Sequence, residues 1–316
     1  MTTVTSNPVP AARAPAKPKQ RSLWGDAWNR LISSATGRIG LGIVLGLILL
    51  AIFAPVLRPY DPVRDRNLRL RLAPPSWAMP AEQRERLKLD TFSLPFGGDE
   101  LGRDVFVRVL HGSRISLTVG LFAVTLAVVF GTLLGLVAGY IGGWVDTGAT
   151  WIMDIMLAFP SILLAIAIVA IRGPGLSNTL LAVGIVEIPI FARIARGAVL
   201  MVREQEYVTS ARATGVPDRR ILFRHVLPNS LTPMIVQATL SIATAIISIA
   251  ALGFLGLGAQ PPAPEWGTML ASARGFVAQG KWWYPTFPGL AIMLTVLGFN
   301  LLGDGLRDAL DPRLRK

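Results

Sequence analysis

Side chains able to do covalent or metal chemistry are scarce in these 316 residues, which include no cysteine and only two histidines, His111 and His225. Thiolate nucleophiles, iron–sulfur ligation, disulfides and Cys/His zinc sites are therefore excluded. No G-x-x-x-x-G-K-[ST] string occurs, so the chain lacks the phosphate-cradling loop needed to bind and hydrolyse ATP itself. Two distant histidines and isolated aspartates do not supply a nucleophile with its base, which argues against an intramembrane enzyme, and no metal or cofactor is expected. What remains is non-covalent chemistry, carried by charges inside apolar runs and by one basic segment between them.

Glu187 is the sharpest of these charges. It stands two residues before Pro189 in an apolar run, where a carboxylate is costly in lipid and belongs toward the bundle interior or a water-filled path. There it either attracts a substrate amine or cation, or is an inward carboxylate paired with Arg193 or a partner helix. Asn300 is the second candidate for the path and equally suits interhelical hydrogen bonding. Asp146, Asp154 and Asp304 lie nearer the expected interfaces, where snorkelling or capping accounts for them.

The basic segment is Arg203 to Asn229. Its turn chemistry predicts a helix over Glu204–Thr214 with Tyr207, Ala211 and Thr214 on one side, stopped by Gly215. Pro217 then starts a second, amphipathic helix over Asp218–Val226, packing Ile221, Leu222, Phe223 and Val226. Arg212, Arg219, Arg220 and Arg224 face water, an acidic partner or anionic lipid headgroups. Pro228 is expected to stop the second helix before Asn229 or Ser230 caps the next span. His225, at the apolar end, serves either as a partner contact titrating near neutrality or as a hydrogen-bonded structural residue. A merely solvated hairpin would need no such compact apolar face.

The elements that position these residues are membrane helices. With 52% hydrophobic and 16% charged residues and a mean hydropathy of +0.52, the chain is too apolar for an ordinary soluble domain. A span needs roughly 20 apolar helical residues, and six runs qualify: Ile39–Leu57, Ile115–Tyr140, Trp151–Ile171, Leu176–Ile194, Leu231–Gly258 and Phe287–Gly305. Gly131, Gly135 and Gly139 line one face of the second run, and Gly42 and Gly46 one face of the first, as small residues do where helices approach closely. The first run is too long for a signal peptide core and lacks an A-x-A end, so it reads as a retained anchor.

The net charge of +12 sits beside the spans without interleaved aromatics, which indicates topology and no nucleic-acid partner. An N-in, C-in arrangement places the N-terminal tail, the basic segment and the C-terminus in the cytoplasm. The loop from Arg58 to Arg114 then lies outside with eleven basic and eight acidic residues, near the length beyond which loop charge stops steering insertion. Its PAEQRERLKLD stretch predicts a short polar helix. The organisation expected is a disordered basic tail over 1–37, a first anchor over 38–57, an extracytoplasmic loop over 58–114, a core over 115–310 containing the 203–229 insert, and a C-terminal tail over 311–316.

The insert resembles the EAA loop of ABC-importer permeases, in which Glu-Ala-Ala is followed at fixed spacing by Gly, Ile and Leu-Pro. Here Thr209-Ser210-Ala211, Gly215, His225 and Leu227-Pro228 keep the spacing, although the first two positions and the Ile position differ. Tyr207-Val208, Ala211-Arg212-Ala213 and the ending Arg224 to Asn229 are similar to the peptide-importer branch. So are Phe96 to Asp99 with Leu101 to Asp104, Gly112 to Arg114, Phe254 to Gly258 with Gln260 to Pro262 and Trp266-Gly267, and Asn300 to Asp308 with Leu310 to Pro312. The chain thus resembles the C-type permease subunits of dipeptide/oligopeptide ABC importers.

That resemblance implies an all-α integral membrane fold of the type I ABC importer permease, with six transmembrane helices and a cytoplasmic coupling-helix insert. It implies a bacterial inner-membrane location and, as partners, a homologous B-type permease subunit, two cytoplasmic ATP-binding subunits and an extracytoplasmic solute-binding protein, with membrane lipid around them. Tyr207, Ala211, Arg212, Gly215, Asp218, Arg224, His225, Leu227 and Pro228 become the ATPase-coupling candidates. Peptide is the substrate class implied, with nickel, glutathione or haem as alternatives in the same branch. An ion-coupled secondary transporter is the contrasting class, disfavoured by the lack of a paired internal repeat.

Overall fold

A computed structural model describes residues 23–61 and 63–311. Apart from one isolated bridge between Gly98 and Asp104, the regular structure of the described residues is helical. Helix α1, Leu23–Ser33, falls inside the tail expected to be disordered. Its Ala27 and Leu31, one turn apart, bury against Ala309 near the other end of the chain, a partner that local composition does not reveal. The remainder of that tail up to residue 22, and the C-terminal residues 312–316, lie outside the described residues.

Helix α2, Ala35–Leu57, starts where Ser34 Oγ accepts from Gly37 N at 3.0 Å. The following loop folds around Ala73, Met79 and Leu94 and contains the expected short polar helix as α3, Ala81–Leu87. Helix α4 runs from Val105 to Ile141, so the second span begins well before Ile115. Charged residues break the apolar run there, but Asp104 Oδ1 accepts from Phe106 N at 2.8 Å and caps the earlier start. At 37 residues this helix is about 55 Å long, well beyond a hydrocarbon core of about 30 Å.

The third expected span is broken. Helices α5, Gly143–Ala158, and α6, Ser161–Arg172, meet at 93°. Pro160 lacks an N–H and forces Phe159 into an extended conformation, φ −89° and ψ 139°, which a helix cannot continue. The remaining helices are α7, Leu176–Arg203; α8, Glu206–Ala213; α9, Asp218–Ile221; α10, Leu227–Phe254; α11, Trp266–Ala273; and α12, Trp283–Leu310. Among the described residues, α2, α4, the continuous Asp218–Phe254 body and α12 are long and apolar enough to cross a membrane, and the bent α5–α6 pair makes a fifth. α7, although 28 residues long, is not among them, so the six expected spans are not all met.

α7 is enclosed mainly by α4. A Cβ on Gly135 would lie 2.2 Å from Ala192 O, and one on Gly131 2.6 Å from Phe191 Cβ, so the expected glycine stripe of α4 is a backbone contact with α7. The stripe proposed for α2 is on another face. Gly42 and Gly46 have nothing within 4 Å of a would-be Cβ, whereas Gly40 meets Leu302 N at 2.4 Å. Gly37, Gly40, Val44, Ala51 and Ala54 are the buried set of α2, and α12 is the helix it meets there.

Candidate functional site

The insert has two unlike sides. On its underside Val208, Ile221 and Val226 are fully buried with Leu136 of α4 and Val199 of α7, and Ala211, Val216, Leu222 and Leu227 pack around them. Tyr140 of α4 donates its hydroxyl to Asp218 Oδ1 at 2.6 Å, and Arg203 Nη1 donates to Gly139 O at 2.7 Å. The outer side presents Tyr207 and Phe223, 45% and 53% exposed, with Arg212, Gly215, Asp218, Arg219, Arg220, Arg224 and Pro228. His225 is half-buried, its ring 6.4 Å from that of Tyr207. Gly215 turns the chain between α8 and α9 at φ +79°, a region that costs a side-chain-bearing residue energy.

Two expectations about the second half of the insert are corrected. Phe223 does not pack with Ile221 and Val226, because Leu222–Val226 forms a π-helical turn in which the five-residue repeat from Ile221 to Val226 stays inward and Phe223 points out. Pro228 does not stop the helix. Leu227 N donates to Leu222 O, and Pro228 enters the first turn of α10, where its missing N–H is harmless. Asn229 and Ser230 are back-bonded to the preceding turn and cap nothing: Asn229 Nδ2 donates to His225 O at 2.6 Å and Ser230 Oγ to Val226 O at 2.9 Å.

Within the bundle, Glu187 is half-buried and turned toward α10. Ser241 Oγ donates to Glu187 Oε2 at 3.1 Å and itself accepts from Gln237 Nε2 at 3.2 Å. Arg193 is not the partner of Glu187, because its Nη2 pairs with Asp154 Oδ1 at 2.6 Å. Arg196 grips both carboxylate oxygens of Asp146, with Nη2 to Oδ2 at 2.7 Å. The two aspartates are therefore ion-paired to α7, where sequence reading left them to snorkelling or capping. Asn300 is exposed on α12, whereas the hydrogen bond of Glu187 goes to Ser241 of α10.

One charged cluster was not singled out as a site from sequence. Asp99 is fully buried, with Arg103 and Arg108 at 3% and 4% exposure. Its Oδ2 accepts from Arg103 Nε and Arg108 Nη1, each at 2.6 Å, and its Oδ1 from Leu101 N at 2.8 Å and Arg103 N at 2.9 Å. The signal available was an Asp with Arg at i+4 and i+9 ahead of an apolar run. This core fixes the start of α4. Beside it, burial pushes the Asp104 carboxyl up to about 6 despite its backbone hydrogen bonds. Glu265 is raised by burial as well, while its two oxygens accept from Gly267 N and Thr268 N at 2.7 and 2.9 Å at the start of α11.

Residues 131–316 match the binding-protein-dependent transport system inner membrane component family, and residues 22–75 match the N-terminal transmembrane domain of oligopeptide transport permease C. The chain is 52% identical over 294 residues to the dipeptide transport system permease protein DppC of Alkalihalophilus pseudofirmus, covering 93% of this chain and 91% of that one. It is 50% identical over 288 residues to a di/tripeptide transport system permease protein of Pseudomonas aeruginosa, covering 91% of each. To the glutathione transport system permease protein of Pectobacterium atrosepticum it is 46% identical over 298 residues, 93% of each. The inward-facing MetNI methionine ABC transporter aligns with a TM-score of 0.52 and 19% identity over 64% of this chain and 96% of that chain, a likeness of fold.

Proposed function

The chain belongs to the binding-protein-dependent transport system inner membrane component family, and on that premise we propose that it forms half of the translocation path of an importer for dipeptides or oligopeptides. It is a multi-pass membrane permease, and a system of this kind adds a second permease, an ATPase and a solute-binding protein. In the arrangement proposed, the second permease is a homologous B-type subunit, two ATPases seat on the 203–229 insert, and both termini and the insert lie in the bacterial cytoplasm. Relatives named for dipeptides, di/tripeptides and glutathione are all named for small peptides, which supports that substrate class over nickel or haem.

The observation that carries the coupling role is the two-sidedness of the insert. Val208, Ile221 and Val226 tie it to α4 and α7, while Tyr207, Phe223 and four arginines stay open. Exposed Tyr and Arg are residue types enriched at protein-binding hot spots. Tyr207, Ala211, Arg212, Gly215, Asp218, Arg224, His225, Leu227 and Pro228 are assigned to this coupling, Ala211 and Leu227 from beneath and the others at or near the face. Glu187 and Asn300 are proposed for the path. The test is uptake of labelled dipeptides, a pentapeptide and nickel into vesicles holding the chain with its neighbouring permease, ATPases and binding protein. ATP-dependent peptide uptake is the expected result, and nickel uptake alone, or failure to assemble with any ATPase, refutes the reading.

A further inference from the structure

Asp154 of α5 and Arg193 of α7 form an open ion pair. Their side chains are 57% and 58% exposed although they pair at 2.6 Å, in contrast to Asp146 and Arg196 at 21% and 31%. Arg193 stands ten residues before Arg203, where α7 leaves the bundle for the insert, which is about 15 Å along a helix. Asp154 stands eleven residues after Gly143, where α5 starts beside the end of α4, or about 16 Å. Measured along α7, which runs on into the insert, the pair lies about halfway through a hydrocarbon core of about 30 Å. Open charges at that depth are costly in lipid and belong on a water-filled path or against protein.

Resting on the peptide-importer reading, we propose that the Asp154–Arg193 pair, with Trp151 beside it, is the subsite of the translocation path that receives the two charged ends of a peptide in transit. A small peptide at neutral pH carries an ammonium and a carboxylate. Arg193 takes the carboxylate and Asp154 the ammonium as their own pair opens, and the pair re-forms when the peptide leaves. One ion pair is exchanged for two of the same kind, so the site accepts a zwitterion without holding it tightly, as a path requires. With no peptide present the pair is neutral and draws in no lone ion. Trp151, 72% exposed, stands one turn before Asp154 on the same face of α5 and offers a ring to the ammonium or to an apolar side chain. Glu187 is less suited to this exchange, since it is half-buried and engaged by Ser241.

The chain has no cysteine, so Trp151→Cys, which leaves the ion pair intact, and Asp154→Cys each give it a single thiol. The complete transporter is reconstituted in vesicles and exposed on both sides to a charged, membrane-impermeant methanethiosulfonate reagent during ATP turnover, with labelling of this chain read by mass. Both thiols are expected to react. Dipeptide-loaded binding protein is expected to slow labelling of the Trp151→Cys chain, in which the ion pair is kept, in proportion to the share of turnover during which peptide occupies the subsite, and empty binding protein is expected not to. Absence of labelling in both variants overturns the proposal, because lipid or a partner helix then covers the pair. Labelling equally fast with loaded and empty binding protein overturns it too, because the peptide then passes elsewhere. Uptake by the cysteine-free chain is measured first, so that a complex importing no peptide is charged against the importer reading.

Discussion

Replacing Gly215 by Ala and by Glu separates the fold of the insert from its outer face. Gly215 sits at φ +79°, and a Cβ there meets nothing within 4 Å. Each replacement therefore carries only the left-handed backbone cost, about 1–2 kcal/mol, small against a typical stability of about 5–15 kcal/mol. Membrane insertion should be unaffected by either. If the strained turn lowers the docking-competent geometry by the full cost, Ala weakens ATPase binding by about tenfold, since about 1.4 kcal/mol is a factor of ten. Glu adds a bulky side chain to the face and a negative charge that competes with the partner's acidic groups for Arg212 and Arg219, so it should weaken ATPase binding more than Ala does. The assay is titration of purified ATPase onto the permease pair in nanodiscs, with yield from the membrane fraction as the folding control. A well-inserted Gly215→Glu chain that binds ATPase like the wild type would show that the insert is not the docking face.

Gly135→Ala should lower the thermal midpoint of the purified permease, because overpacking against Ala192 O costs about 1–3 kcal/mol against a helix-propensity gain of about 1 kcal/mol. Gly42→Ala, with open space, should leave the midpoint unchanged or raised, and equal behaviour of the two would refute the α4–α7 backbone contact. Asp104 has its folded pKa raised to about 6 from 3.8, so the folded state holds the extra proton and stability falls as pH rises between those values. Asp104→Asn keeps a cap acceptor and should be the more stable form at pH 8 by about 1–3 kcal/mol, with the difference gone below pH of about 4; thermal unfolding at both ends of that window checks it. Asp99→Asn removes the charge partner of buried Arg103 and Arg108 and should cost about 3–5 kcal/mol, read as loss of folded chain from membranes, whereas wild-type yield and midpoint would show that the cluster does not hold the start of α4.

The readable part of the fold follows from one-dimensional signals. Continuous apolar runs place α2, α4, α10 and α12, and four-residue glycine spacing places the α4–α7 contact. The failures come from interactions between distant segments or from a local break inside an apolar run. Trp151–Ile171 reads as one span because hydropathy averages across Pro160, although the proline itself is the cause of the 93° bend. Gly42 and Gly46 repeat with the right spacing, but apart from the neighbouring backbone of α2 no described residue comes within 4 Å of a Cβ placed on either. The pairing of Asp154 and Asp146 with Arg193 and Arg196 joins positions 39 and 50 residues apart, which no spacing rule within one helix reaches. The insert was legible in its turn residues, Gly215 and Pro217, because those act through their own backbone. Its outward Phe223 was hidden, because a π-helical turn moves a side chain out of the 3.6-residue phase on which the sequence reading depends.

Continuity of that turn with α10 bears on how the proposed docking reaches the path. With Pro228 as a stop, the second half of the insert would hang on a flexible joint, and force on Arg219 or Arg224 would be spent in the joint. Instead Asp218–Phe254 is one helical body of 37 residues, about 55 Å from end to end. Its first turns carry the open arginines, and Ser241, further along, holds Glu187 of α7. At its far end Gly253 lies against the buried carboxylate of Glu265, which starts α11. The π-helical turn, Pro228 and Pro233 interrupt the regular hydrogen-bond ladder. A displacement applied at the docking face is therefore carried to the α7–α10 contact as a rigid movement of α10. Because α4 and α7 touch through glycine backbone at Gly131 and Gly135, α7 cannot follow α10 without taking α4 along. In the proposed complex, ATPase closure thus moves α10 and, through the buried Val208, Ile221 and Val226, the α4–α7 pair with it.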